Sequence, residues 1–199
     1  MINKPFSQAC ENNKAPILQI IRNVFLQPTT VWEIGSGTGQ HACYFAEYLP
    51  HIIWQPTDKA ENISGIEWWI NDAKLANVSA PLVLDVTDER WPCSQIDALF
   101  TANTLHIMSW HDVQIFFERL VGYLSDNALM CIYGPFNYNG TFTSESNAKF
   151  DEWLKSRNKF SGIREFEAIL TLAKNSRLEL LNDFAMPANN RLLVFQRQK

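Results

Sequence analysis

The sequence has no basic run, no paired cysteines and no long apolar stretch, and each absence removes a class of function. Its 17 lysines and arginines are outnumbered by 21 aspartates and glutamates, leaving a formal charge of -4, and the cations are scattered. Without a phosphate-tracking stripe, nucleic acid is not an expected partner. The four cysteines, Cys10, Cys43, Cys93 and Cys131, stand far apart with no C-x-x-C pair. That spacing supports neither a zinc cluster nor a disulfide framework, and a reducing compartment, the cytoplasm, is expected. The opening MINKPFSQACENNK has no apolar leader core, and no later run approaches the roughly 20 apolar residues of a membrane span. No membrane partner is expected. His41 and His51 show no ligand spacing with the other two histidines, so no metal site is argued.

What the chain does have is apolar patterning whose period changes in turn. With 199 residues and 46% apolar content it can bury one sizeable core. It reads as a single domain, 1–199, with residues 1–28 as an N-terminal cap segment. PILQIIRNVF has apolar residues at 17, 20, 21, 24 and 25, a helical stripe with Pro16 suited to the first turn. VWEI, IIWQPTD, PLVLDV, IDALFTAN and ALMCIYG read as five strands. Helical patterns separate them: QHACYFAEYLP, stopped by Pro50; Ile66, Trp69, Ile70 and Ala73; and Val113, Phe116, Phe117, Leu120 and Leu124. Ser109 caps the last of these, with Asp112 at its third position. Two more helical patterns, around Phe150, Trp153 and Leu154 and around Phe166, Ile169, Leu170 and Ala173, follow the polar loop NYNGTFTSESN. LELLNDFAM and RLLVFQRQ are separated by a segment with Asn189 and Asn190, which tolerate positive φ, and read as an antiparallel hairpin. Repeated β-α units imply an α/β, Rossmann-like doubly wound fold: a mainly parallel sheet with helices on both faces.

In such sheets ligands bind outside the carboxyl ends of the strands, where the strand order reverses. VWEIGSGTGQHACYF puts three glycines, Gly35, Gly37 and Gly39, at one such end. Glycine there permits a tight turn and removes side chains where a ligand approaches the backbone; a strained turn that binds nothing is the bland alternative. A dinucleotide fingerprint would need its third glycine at position 40, which is Gln40. The pattern is instead E-x-G-x-G-x-G, with Glu33 inside the strand. A carboxylate repels pyrophosphate but suits a ligand that carries an ammonium and a sulfonium. Asp58, about twenty residues past the last glycine, ends the second strand where it can accept from ribose hydroxyls. Asp85 ends the third, at the height of an adenine amino group, or else caps VTDERW.

These residues resemble the ordered motifs of class I S-adenosylmethionine-dependent methyltransferases. Beyond Glu33 to Gly39, Asp58, Asp85 and DALFTAN, the segments APIL, GSGTGQHA, WQPTD, ANTLHI, YGPF, SNAKFD, GIRE and MPANN are similar to the methyltransferase-like protein 26 family. They span nearly the whole chain. One departure is Asn12 in ACENNK, where that family tends to have arginine. The resemblance implies a seven-stranded sheet with the last strand antiparallel, and S-adenosyl-L-methionine as cofactor. It implies that Gly35, Ser36, Gly37 and Gly39 cradle the methionine part while Glu33 orients its amino group. Asp58 would then bind the ribose, Asp85 and Val86 frame the adenine, and Asn103 sit beside the sulfonium.

Methyl transfer asks mainly for a nucleophile held in line in a dry pocket. Where that nucleophile carries a proton, His106, three residues past Asn103, is the candidate base; ordering its loop is the alternative. His111, near a helix start, reads as a surface residue. Tyr133 and Phe136 end the fifth strand, where their rings can cover the reacting centre or pack the core. The loop from Asn137 to Asn147 reads as a lid or a connector. Position 103 begins no N-P-P-Y or D-P-P-Y sequence, so planar amide or base nitrogens are not the expected acceptor; a small molecule is. Two other functions compete: a non-catalytic S-adenosylmethionine-binding protein acting through a partner, and a nicotinamide-dependent oxidoreductase, disfavoured by Gln40, Glu33 and the terminal hairpin.

Overall fold

The computed structural model describes residues 4–27 and 29–199; of the expected cap segment, residues 1–3 and 28 lie outside them. In chain order the elements are α1 (Gln8–Val24), β1 (Thr29–Ile34), α2 (Gln40–Tyr48), β2 (Ile52–Asp58), α3 (Ala60–Ala73), β3 (Leu82–Val83) and β4 (Ile96–Ala102). Then follow α4 (Trp110–Tyr123), β5 (Leu124–Gly134), β6 (Phe136–Asn137), α5 (Glu145–Arg157), β7 (Arg164–Glu165), α6 (Phe166–Asn175), β8 (Leu178–Met186) and β9 (Asn190–Arg197). A short 3-10 turn, Pro187–Asn189, joins the last two strands.

Seven strands form one sheet in the order β3-β2-β1-β4-β5-β9-β8. The chain winds outward from β1 to β3, then resumes on the other side of β1 with β4, so the order reverses between β1 and β4. β1 to β5 pair in parallel, whereas β9 is antiparallel to both β5 and β8. Alternation along β1 divides the core. Trp32 and Ile34 join Leu99, Met130, Phe116 and Ile169 on the α4 and α6 side. Val31 joins Ile17, Phe45, Trp54 and Phe100 on the α1 and α2 side. Burial on both faces is why the parallel strands read as near-continuous apolar runs.

Several boundaries differ from expectation. α1 starts at Gln8, with the Ser7 side chain accepting from Cys10 N, so Pro16 lies inside the helix and not in its first turn. Its first half carries no apolar stripe because that half meets the protein through polar groups, as shown below. The third strand is only Leu82–Val83, which leaves Asp85 in the turn beyond it. β5 begins at Leu124, and the YGPF region contains a two-residue strand, β6, paired in parallel with β7. In the hairpin the positive φ falls on Ala188 and Asn189, while Asn190 already belongs to β9. α4 has the expected capping box: Asp112 N donates to Ser109 Oγ and Ser109 N to Asp112 Oδ2.

Candidate functional site

The glycine turn leaves the carboxyl end of β1, beside the strand-order reversal. Its three glycines have φ of 74°, 59° and 87°, all in the left-handed region. A Cβ on Gly35 would collide with Thr104 Cγ2, and one on Gly39 would stand 3.1 Å from the Ile66 backbone. Around an added Cβ at Gly37 nothing lies within 4 Å, so the middle of the turn borders open space. The turn is tied to β2: Gly35 N and Ser36 N both donate to Thr57 O at 3.0 Å. Thr57 N donates in return to Ser36 Oγ at 3.1 Å.

Asp58 accepts from Gly37 N at 2.6 Å, Lys59 N at 2.7 Å and Asn62 Nδ2 at 2.9 Å. A carboxylate has about four acceptor positions, which leaves room for one more donor against the two ribose hydroxyls expected. Asp85 accepts from Thr87 N and Thr87 Oγ1 at 3.0 and 2.8 Å and pairs with Lys59 at 2.8 Å. It thus shapes a local turn in place of capping a helix. Val86 is buried in the core on the α4 side.

Glu33 points into the α1 and α2 side of the core, 1% exposed, with Oε2 accepting from Trp54 Nε1 at 3.0 Å. Burial raises its pKa to about 7, against the opposing hydrogen bond from the indole. A buried carboxylate held near neutrality gains from any cation brought beside it.

At the ends of β4 and β5, Asn103 has φ of 59° and donates its backbone N–H to Tyr133 O at 2.9 Å. His106 is 5% exposed and meets Phe150 edge-on at 5.3 Å; a Cβ on Gly134 would stand 3.6 Å from its Nδ1. Burial first, then the Arg164 guanidinium, lowers its pKa to about 4, so the ring is neutral at pH 7. Arg164 orders the loop by donating to the carbonyls of Leu105 and Met108. Tyr133 is buried in the core on the α1 side, and burial raises its pKa to about 12. Phe136 is buried on the opposite face. His111 is exposed on the first turn of α4.

α1 reaches this end of the sheet through residues that carry no motif. Gln40 Nε2 donates to Glu11 Oε1 at 2.7 Å, and Ser7 N donates to Gln40 Oε1 at 2.5 Å. His41 Nε2 donates to Asn13 Oδ1 at 2.6 Å. Asn12, in contrast, is exposed and accepts from Gln8 Nε2. The polar loop after β6 is held by glutamates: Asn139 N donates to Glu167, and Gly140 N and Asn137 Nδ2 donate to Glu165. Asn147 Nδ2 donates to Asn189 O at 3.2 Å, which ties α5 to the hairpin turn. Thr104, Asn13 and Arg164 were not singled out from the sequence, and Ile66 and Phe150 only as members of helical patterns. Thr104 adjoins Asn103 in ANTLHI, Asn13 lies in ACENNK, Phe150 in SNAKFD and Arg164 in GIRE, but none of these segments assigned them a role.

Residues 4–197 match the family described as "Protein of unknown function (DUF938)". The chain belongs to the DUF938 family. Solved structures extend this to the fold. An O-methyltransferase family protein from Burkholderia thailandensis superposes with TM-score 0.84 at 15% identity, over 96% of this chain and 58% of that one. A putative O-methyltransferase from Nostoc punctiforme gives TM-score 0.81 at 13% identity, over 94% and 56%. The mitomycin 7-O-methyltransferase gives 0.81 at 14%, over 95% and 54%. This DUF938 chain therefore has the class I methyltransferase fold, and it spans a little over half the length of those proteins. Among the described residues no helix is long and apolar enough to cross a membrane.

Proposed function

We propose that the protein is an S-adenosylmethionine-dependent methyltransferase of the methyltransferase-like protein 26 type, acting on a small acceptor. The observation that carries this reading is the glycine turn at the carboxyl end of β1, next to the strand-order reversal, with a buried acid, Glu33, in the strand just before it. The residues present fit the cofactor. Three left-handed glycines form a backbone cradle whose middle borders open space, and Glu33 is a buried carboxylate able to receive an ammonium. When bound, S-adenosylmethionine would supply its methyl group on an already activated sulfonium.

The chain's own residues then have definite tasks. Gly35, Ser36, Gly37 and Gly39 hold the methionine end, Glu33 its amino group, and Asp58 one ribose hydroxyl. Asp85 and Val86 border the adenine. Asn103, fixed in the left-handed region by its bond to Tyr133 O, sits at the reacting centre. His106, neutral at pH 7, takes the proton lost by an acceptor hydroxyl as its oxygen attacks the methyl carbon and the carbon–sulfur bond breaks. Tyr133 supports this end of β5 by packing in the core on the α1 side. The O-methyltransferases that share this fold favour an oxygen acceptor. His106→Ala is expected to abolish transfer of labelled methyl groups into a small-molecule extract while S-adenosylhomocysteine binding persists. Unchanged transfer would remove His106 from the mechanism.

A further inference from the structure

One border of the proposed acceptor site has a composition unlike the rest of the chain. The stretch WLKSRNKFSGIR, residues 153–164, holds four cations and no acid in a protein of net charge -4. Two of the four have internal work. Lys155 pairs with buried Asp151 at 2.5 Å, and Arg164 donates to the carbonyls of Leu105, Met108 and Phe160. Arg157 and Lys159 have no salt-bridge partner among the described residues. They lie instead over aromatic rings, Arg157 at 5.1 Å from Trp153 and Lys159 at 5.0 Å from Phe160.

Those rings are exposed, Trp153 by 50% and Phe160 by 60%, and Ile107 beside His106 is 53% exposed. Isolated exposed apolar residues are ordinary, but these three are linked to one buried histidine. Trp153 stacks on Phe150 at 5.8 Å, and Phe150 meets the His106 ring. The segment carrying Phe160 runs along the His106 loop: Ser161 Oγ donates to Ile107 O at 2.7 Å and Gly162 N to His106 O at 2.9 Å. Exposed rings carrying two unpaired cations are thus connected through Phe150 and the 161–162 backbone to a buried imidazole beyond the carboxyl end of β4. An anion with a flat apolar body satisfies all three at once, because its ring covers surface now in water and its charge meets the free cations.

We infer that the acceptor is a small aromatic acid, its ring against Trp153, Phe160 and Ile107 and its anionic group on Arg157 and Lys159. This rests on the methyltransferase reading. In the transfer itself a hydroxyl oxygen on the acid's ring forms the new bond to the methyl carbon as the carbon–sulfur bond breaks, its proton passing to His106 and leaving neutral S-adenosylhomocysteine.

Calorimetric titration of the full chain, saturated with S-adenosylhomocysteine, tests this with 2-naphthoate and the neutral 2-naphthamide. Naphthoate is expected to bind about ten-fold tighter than the amide, as a charge-assisted contact adds. The double variant Arg157→Glu, Lys159→Glu is expected to abolish that preference while keeping the thermal shift from S-adenosylhomocysteine; both positions are exposed, so folding is not at risk. Equal affinities, no naphthoate binding, or a preference that survives charge reversal would overturn the inference and leave the methyltransferase reading standing. Binding of an acidic aromatic peptide without naphthoate binding would assign the face to a protein partner and overturn it too. Absence of any shift with S-adenosylhomocysteine would remove the underlying reading, and the inference with it.

Discussion

At the scale of single residues, Glu33 makes the sharpest pH-dependent statement. Its folded pKa is raised to about 7 from 4.5, so between those values the folded state keeps a proton that the unfolded state has released. Its contribution to stability is therefore full below about 4.5 and is lost as pH rises through 7. His41 and His106 act oppositely: burial lowers both to about 4 from 6.5, so their contribution falls away as pH drops through that window. Glu33→Gln removes the first effect alone. The variant is expected to exceed the wild type in Tm at pH 8, with the gap closing toward pH 4.5, and to bind S-adenosylmethionine more weakly. Equal Tm values at pH 8 would place the Glu33 carboxylate in a less costly environment than described.

The glycines give a second comparison. Gly35→Ala meets both a left-handed φ and Thr104, whereas Gly37→Ala meets only the φ, which costs about 1–2 kcal/mol. The first substitution is expected to lower stability in denaturant by clearly more than the second, and Thr104→Ser to recover part of the difference. Glycine's place in the turn was legible because E-x-G-x-G-x-G constrains the backbone locally. The Thr104 contact was not, since it joins residues far apart in the chain. Nor did the sequence reveal His41 bonded to Asn13, because a histidine in a helical pattern reads the same whether its partner is water or a buried amide.

Among the elements, α1 departs furthest from its expectation. A search for apolar spacing finds Ile17, Ile20 and Ile21 but passes over residues 8–15, whose contacts with Gln40 and His41 are polar. Pro16 thereby moves from an easy first-turn position to the middle of a helix, where its ring meets the preceding turn and a backbone bond is missing. Pro16→Ala is expected to raise stability by about 1–3 kcal/mol, or a Tm gain on the order of 2–4 °C per kcal/mol. An unchanged or lower Tm would mean that the bend made by Pro16 is itself needed for the polar contacts of residues 11–14. β3 shortened for a related reason: PLVLDV has strand composition, yet Asp85 bonds Thr87 and turns the chain before the ladder can extend. The β6–β7 pair hid within a stretch too short to show any period.

For the whole molecule, alternating periods were enough to anticipate a doubly wound sheet, because each β-α unit can return only by a right-handed crossover. The strand order follows from that rule together with the terminal hairpin, whose antiparallel insertion of β9 between β5 and β8 is observed. The proposed acceptor end was less legible. It is assembled from α1, the β4 loop, α5 and the hairpin turn, and no local pattern encodes their meeting. The central claim is that this architecture holds a sulfonium nucleoside on the β1 turn. The most direct test is thermal unfolding with S-adenosylmethionine, S-adenosylhomocysteine and NAD in parallel. A ligand at one hundred times its Kd adds about 2.7 kcal/mol, which in a chain of this size raises Tm by roughly 5–10 °C. The account predicts that shift with the two sulfur nucleotides and none with NAD. A shift with NAD alone, or none with either sulfur nucleotide, would contradict it.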